Sequence, residues 1–436
     1  MSSVPTRVDV AIVGAGQAGL SLGACLNRRG IDHVVLEKDS VANAWRSQRW
    51  DSFCLVTPNW SVRLAHQDYD GDDPDGFMSR DAVVRYLEMY AARERIHVCT
   101  GQEVVDARHS HGAWRLRTAA GAAVAARVLV VATATHQRPR RPALAELIGV
   151  PQLHTADYRN PNDIPPGTVL VVGSGQSGAQ IAWELHTAGR DVILATSRVG
   201  RVPRRHLGKD VIAWQRDLGF LDRHISELAD PALRFKPDPL LSGQYGGQDI
   251  NLHDFADAGV QLAGRLKAVS NGFAEFDDSL SAHLAHADAA ADDFYAQVAR
   301  HLGQTPPSRT PARPPPKGID RAPLGSAGIN SVLWATGYDR DFGWLSSSSE
   351  RDTHIHGTCA PFASSSSETD THLPFRQADF LGPVAGLHFL GFNYVDHRRS
   401  GILYGAGVEA TRLADRIVQA LDKNSRKPQS TTQRPA

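Results

Sequence analysis

The run Val8-Asp9-Val10-Ala11-Ile12-Val13 passes directly into Gly14-Ala15-Gly16-Gln17-Ala18-Gly19, and this junction decides the fold. The first six residues have the apolar content of a buried strand. Helix-compatible residues extend from Leu20 to about Arg29, Gly30 stops them, and Val34–Leu36 is a second apolar run. Strand, tight turn, helix, strand is a βαβ unit. The same order recurs 159 positions downstream. There Val169–Val172 is the strand, Gly173-Ser174-Gly175-Gln176-Ser177-Gly178 the turn, Ala179–Thr187 the helix and Val192–Leu194 the next strand. One G-x-G-x-x-G is a weak signal, because glycine-rich turns are common. Two copies, each following a strand and opening a helix, point to two sites that hold a pyrophosphate on backbone N–H groups. The expected fold class is α/β, with two Rossmann-like dinucleotide-binding domains, the second inserted into the first. Gly14, Gly16 and Gly19 form the first expected cradle; Gly173, Gly175 and Gly178 form the second.

The residue closing the second strand of each unit selects the nucleotide. In the first copy it is Glu37, 23 positions after Gly14. An acid there accepts hydrogen bonds from ribose hydroxyls, as in NAD or the adenosine half of FAD, and repels a 2′-phosphate. The matching position in the second copy is Thr196, followed by Ser197 and Arg198, with Arg201, Arg204 and Arg205 beyond. No acid is present, and arginine can clasp a phosphate bidentately. Ser197 and Arg198 are therefore expected to select NADPH. Arg204 and Arg205 are candidate helpers, with a solvated basic loop as the other reading of this stretch.

Composition narrows the function further. The 436 residues carry 47 Lys+Arg and 47 Asp+Glu, a formal net charge of zero, which argues against a nucleic-acid or anionic-membrane binder. The apolar runs are far shorter than a spanning helix needs, and Met1–Arg7 has no secretory pattern. Cys25, Cys54, Cys99 and Cys359 are scattered without CxxC spacing, so neither a metal site nor a redox disulfide is expected. A cytoplasmic setting follows. The first dinucleotide-binding domain is expected over 1–150 and 325–422, the second, NADPH-binding domain over 155–324, and a disordered tail over 423–436. Asp81–Arg95 and Ser279–Leu302 read as helices, Ala406–Leu421 as a closing helix, and Gln304–Gly318 as a proline-rich loop. The serine runs Ser346–Ser349 and Ser364–Ser367 bracket another expected loop.

Four further stretches add to the glycine motifs. They are Ala44-Trp45-Arg46 through Trp50 to Trp60; Leu333-Trp334-Ala335-Thr336-Gly337-Tyr338-Asp339; Pro203-Arg204-Arg205 through Asp210; and Gly386–Gly391 with Ser400–Gly405. Together these resemble the two-dinucleotide-binding-domain flavoproteins, and more narrowly the FMO-like, class B flavin monooxygenases, over roughly residues 8–420. The third stretch resembles a bacterial single-chain subgroup. The segment Gly149 to His154 and Tyr158 departs from the monooxygenase spacing, with four residues rather than three between Gly149 and His154. His154 and Tyr158 are assigned to the interdomain linker.

The resemblance implies FAD and NADPH as cofactors, with Trp45 beside the flavin and Gly337 close to cofactor. It implies an NADPH-dependent monooxygenase that forms a C4a-(hydro)peroxyflavin and passes one oxygen atom of O2 to a small organic substrate, at nitrogen or sulfur. The alternative is a reductase or oxidase that releases H2O2. Asn59 is the catalytic candidate implied by the family; an Asx turn after Pro58 is the other reading. A homodimer stays open as the assembly.

Overall fold

The computed structural model describes residues 3–230, 233–234, 236–311, 313–347 and 380–425. Two mainly parallel sheets organise it. The first runs, in spatial order, Leu345–Ser347, Val104–Ser110, Ala113–Thr118, Ala123–Val131, Arg7–Val13, His33–Leu36 and Val98–Cys99. The long strand Ala123–Val131 changes partner along its length. Its first half pairs antiparallel with Ala113–Thr118, and its second half takes Leu387–Phe389 in parallel. Its second half and the stretch Val10–Val13 are apolar at consecutive positions because helices cover the sheet: Val10, Ala11, Ile12, Leu129, Val130 and Val131 are all fully buried. Truncating Ile12 to Ala costs about 2–5 kcal/mol by this burial.

The second sheet is all parallel, in the order Gln152–His154, Ile329–Trp334, Thr168–Val172, Val192–Ala195 and Gln261–Ala263. A three-stranded antiparallel layer, Leu266–Ser270, Phe273–Phe276 and Arg321–Pro323, stands beside it. The strand Ile329–Trp334 lies within this sheet, so the expected division at 324/325 falls one strand early. The chain leaves the second sheet after Trp334. It passes out beside the segment by which it entered: Tyr338–Asp339 pairs antiparallel with Arg138–Pro139.

Helices form close to their expected ranges. Arg80–Arg93 is capped by Ser79, whose hydroxyl accepts from Ala82 N–H. Leu280–His301 matches the apolar pattern of that stretch. The closing helix is longer than expected, Leu403–Ser425, and takes the first three residues of the expected tail. Lys423 in its last turn complements the helix dipole there. Residues 426–436, and most of the two serine runs, lie outside the described residues; Ser346 and Ser347 end an edge strand.

Candidate active site

The two glycine turns are built alike. Gly14 N–H donates to Leu36 O (2.8 Å) and Gly173 N–H to Ala195 O (2.9 Å), which ties each turn to its second strand. Ala132 N–H donates to Val13 O (2.8 Å) and Ala335 N–H to Val172 O (2.9 Å), which closes the other side. Gly14 and Gly173 have φ of +110° and +100°, and a Cβ there would sit 2.6 and 2.7 Å from the carbonyls of Ala132 and Ala335. A Cβ on Gly19 would overlap Gly14 O, and one on Gly178 would overlap Gly173 O. Gly16 and Gly175 meet nothing within 4 Å. Each is the N-cap of its helix, with the first turn's N–H groups facing that open space. Two outer glycines therefore serve packing, and the middle one keeps room for a ligand.

The first turn opens on a cavity of about 390 Å³ lined by Gly14, Gly16, Glu37, Trp45, Gln137 and Gly391, among others. That size lies within the range of ligand pockets. Glu37 is buried at its far end. Ala15 N–H donates to Glu37 Oε2 (2.8 Å) and Asp39 N–H to Oε1 (3.1 Å). Burial pushes this carboxyl up, and the two backbone donors oppose that. Trp45 is at the rim, its indole N–H donating to Gln17 Oε1 (3.2 Å). Arg49, which no motif singled out, lies against the neighbouring rings of Trp45 and Phe53, 5.4 and 5.6 Å from their centres. His136 lines the same cavity edge-on to Tyr338 at 4.9 Å.

At the second turn, Ser174 and Ser197 exchange bonds. Ser174 N–H donates to Ser197 Oγ (3.2 Å) and Ser197 N–H to Ser174 Oγ (2.9 Å). This fixes the strand end beside the cradle. Arg198 is exposed and has no hydrogen-bond or ion-pair partner among the described residues. The other arginines are engaged. Arg201 pairs with Asp288 (2.8 Å). Arg204, only 2% exposed, grips Asp210 with two nitrogens (2.6–2.9 Å), donates to Val56 O (2.8 Å) and lies over the Phe77 ring. Its donors are spent inside the protein, so the expected phosphate role passes from it. Arg205 donates to Gly246 O (2.8 Å) at the surface.

Asn59 is buried, with both ends of its amide engaged. Met78 N–H donates to its Oδ1 (2.7 Å), and its Nδ2 donates to Asp73 O (2.8 Å). The side chain staples the loop 73–78, its oxygen held by Met78 rather than by a local Asx turn. Gly337 lies at the chain crossing rather than on the first cavity. Its carbonyl accepts from Arg140 N–H (3.0 Å) and bonds His154 Nε2 (3.1 Å). Tyr158 OH and Ser52 Oγ both donate to Glu184, at 2.8 and 2.7 Å, which joins linker, first lobe and second lobe at one carboxylate. Burial pushes Glu184 up.

Two dinucleotide cradles of one design, each at the end of a strand in a mainly parallel sheet, define the class: an oxidoreductase of the two-nucleotide type. The sequence profile of the pyridine nucleotide-disulphide oxidoreductases matches residues 11–214. The chain is 28% identical over 415 residues, 94% of its length and 98% of the relative's, to the CzcO-like oxidoreductase of Geobacillus kaustophilus. It is 34% identical over 204 residues to the indole-3-pyruvate monooxygenase YUCCA1 of Oryza sativa subsp. japonica, 45% of this chain and 50% of that one. A flavin monooxygenase from Stenotrophomonas maltophilia, a doubly substituted variant, superposes with a TM-score of 0.64 at 18% identity, over 96% of this chain and 100% of that one, and shares the fold. The chain is thus similar to FMO-like flavoproteins and shares their fold of two dinucleotide-binding domains.

Proposed function

We propose that this protein is an NADPH-dependent FAD monooxygenase that passes one oxygen atom of O2 to a small organic substrate, at nitrogen or sulfur. The observation that carries the cofactor assignment is the contrast between the strand ends. Glu37 closes the first as a buried acceptor, and Ser197 with Arg198, unpaired among the described residues, closes the second. The residues present fit the two groups: each middle glycine leaves the space a pyrophosphate needs, and Glu37 stands where ribose hydroxyls can donate to it. The monooxygenase assignment leans on the family and on the YUCCA1 relative.

Bound FAD supplies the hydride acceptor and the chemistry that activates O2. The chain's part is to bind, orient and exclude water. Backbone N–H groups after Gly14 and Gly173 hold the pyrophosphates. Trp45, braced by Gln17, walls the cavity. Arg198 clasps the 2′-phosphate of NADPH. Glu184, bonded to both Tyr158 and Ser52, sets the angle at which the two lobes present their nucleotides to each other. Asn59 acts as a positioning residue through the loop 73–78. The proposed lobes follow the sheets: residues 1–150 with the chain after Trp334 for FAD, and 155–334 for NADPH.

A panel of amines and sulfides tests the reaction. NADPH oxidation, O2 uptake and H2O2 release are measured together in each case. The reading expects at least one substrate to suppress H2O2 and to gain one oxygen per NADPH. One H2O2 per NADPH with every amine and sulfide would establish the reductase or oxidase outcome instead.

A further inference from the structure

The helix Leu280–His301 lies along the strand end of the second cradle. His283 Nδ1 is 3.0 Å from Thr196 Oγ1, Arg201 pairs with Asp288, and a Cβ on Gly200 would sit 3.0 Å from Ala290 Cβ. Positions 283, 286 and 290 share a helix face, so His286 is the residue of that face opposite Ser197 and Arg198. The two histidines differ in what they do. Thr196 Oγ1 gives its proton to Ala263 O (2.7 Å), so His283 Nδ1 donates to Thr196 and is spent. His286 is half-buried and has no hydrogen-bond partner among the described residues.

Its electrostatic surroundings are one-sided. Burial, then Arg198, then Lys236 from the preceding loop hold its imidazole below the usual histidine range. His283, one turn back, feels Arg198 and His286 as well, with Arg265 and Asp277 behind it. The nearest carboxylate along the helix, Asp288, is committed to Arg201 and to His253 (3.4 Å). Arg198 and Lys236 are thus the charged groups that His286 feels, and no carboxylate of the described residues is among them.

We propose that His286 is a second cationic donor to the 2′-phosphate of NADPH, and that it takes up a proton from solvent as the phosphate arrives. This rests on the NADPH reading above. A phosphate dianion beside the imidazole reverses the sign of its surroundings and favours imidazolium. One proton moves from buffer to His286; no bond to the nucleotide forms or breaks. Affinity for the phosphorylated nucleotide accordingly falls as pH rises from about 6 to about 8, the range of an ordinary histidine. Affinity for NAD+ does not.

The test is titration calorimetry of the FAD-loaded protein with NADP+ and with NAD+, in two buffers of different ionisation enthalpy, at the two ends of that range. The wild type is expected to take up protons with NADP+ relative to NAD+, and His286→Gln to lose about three- to tenfold in NADP+ affinity at the acid end. The phosphate's own titration is common to both proteins and cancels in their difference. His286→Lys is the rescue: it should keep tight NADP+ binding at the alkaline end with no proton uptake at the imidazole. Equal proton uptake by wild type and His286→Gln overturns the proposal while leaving the NADPH reading intact. A wild type that binds NADP+ no better than NAD+ overturns the reading beneath it.

Discussion

The two glycine cradles have nearly the same backbone and opposite strand ends. Their closing hydrogen bonds agree within 0.1 Å, 2.8 against 2.9 Å at the glycine and again at the crossing strand. At the tip of the second strand the first lobe buries a carboxylate, and the second exposes a guanidinium, unpaired among the described residues, beside a pinned serine. Backbone geometry therefore makes a pyrophosphate site, and one or two side chains decide whose pyrophosphate it is. The comparison also separates glycines that hold the fold from glycines that hold the ligand.

Breaking a cradle should give the largest effects. Gly19→Ala and Gly178→Ala each force a methyl onto a backbone carbonyl, and each is expected to destabilise its lobe by about 3 kcal/mol or more. Denaturant unfolding checks this, and a wild-type midpoint in either would refute the packing account. Gly16→Val and Gly175→Val have open space and should fold. The first is expected to purify colourless; the second should stay yellow but fail to be reduced by NADPH. A yellow Gly16→Val protein would show that FAD sits elsewhere.

The arginines sharpen the comparison at the side-chain level. Arg204→Ala leaves the nearly buried Asp210 without its partner and should cost about 3–5 kcal/mol in stability with little change in the NADPH-to-NADH preference. Arg198→Ala should do the reverse: unchanged Tm, and a KM for NADPH raised about tenfold or more with that for NADH nearly constant. Similar shifts for both nucleotides would remove the 2′-phosphate assignment.

The smallest effect concerns pH and belongs to the first lobe alone. Glu409 in the closing helix is 1% exposed, accepts from Ser400 Oγ, and is pushed by burial from 4.5 up to about 8. The folded state thus prefers it protonated. Its contribution is fully present below the unfolded value and is lost as pH rises through the folded one. The Tm of the wild type should fall between about pH 5 and 8 relative to Glu409→Gln. Parallel Tm curves for the two proteins would mean the carboxyl is ionised throughout.

What was legible in the sequence was local. The glycine turns, their flanking strands and the acid or arginine at a fixed offset all lie within one βαβ unit, where spacing is geometry. The contacts of Asn59 and Arg204 are not legible there because their partners are set elsewhere: Met78 is 19 residues from Asn59, and Val56 is 148 from Arg204. Arg204 had one visible signal. The tight turn at Leu207-Gly208 folds Arg205 opposite Asp210, which puts a carboxylate within reach of the arginine one residue earlier. Arg49 and His286 had none, since an aromatic pair beside a guanidinium and a helix laid along a strand end 90 residues away arise only in the folded chain. The boundary at 325 failed for a related reason: a parallel strand is paired by its crossover, and Ile329–Trp334 finds its neighbours more than 150 residues back.

The most direct test of the central contrast is anaerobic stopped-flow reduction of the bound flavin by NADPH and by NADH, each over a range of concentrations. The account predicts bleaching by both, with half-saturation at least about tenfold lower for NADPH. Equal half-saturation, or a preference for NADH, would contradict it.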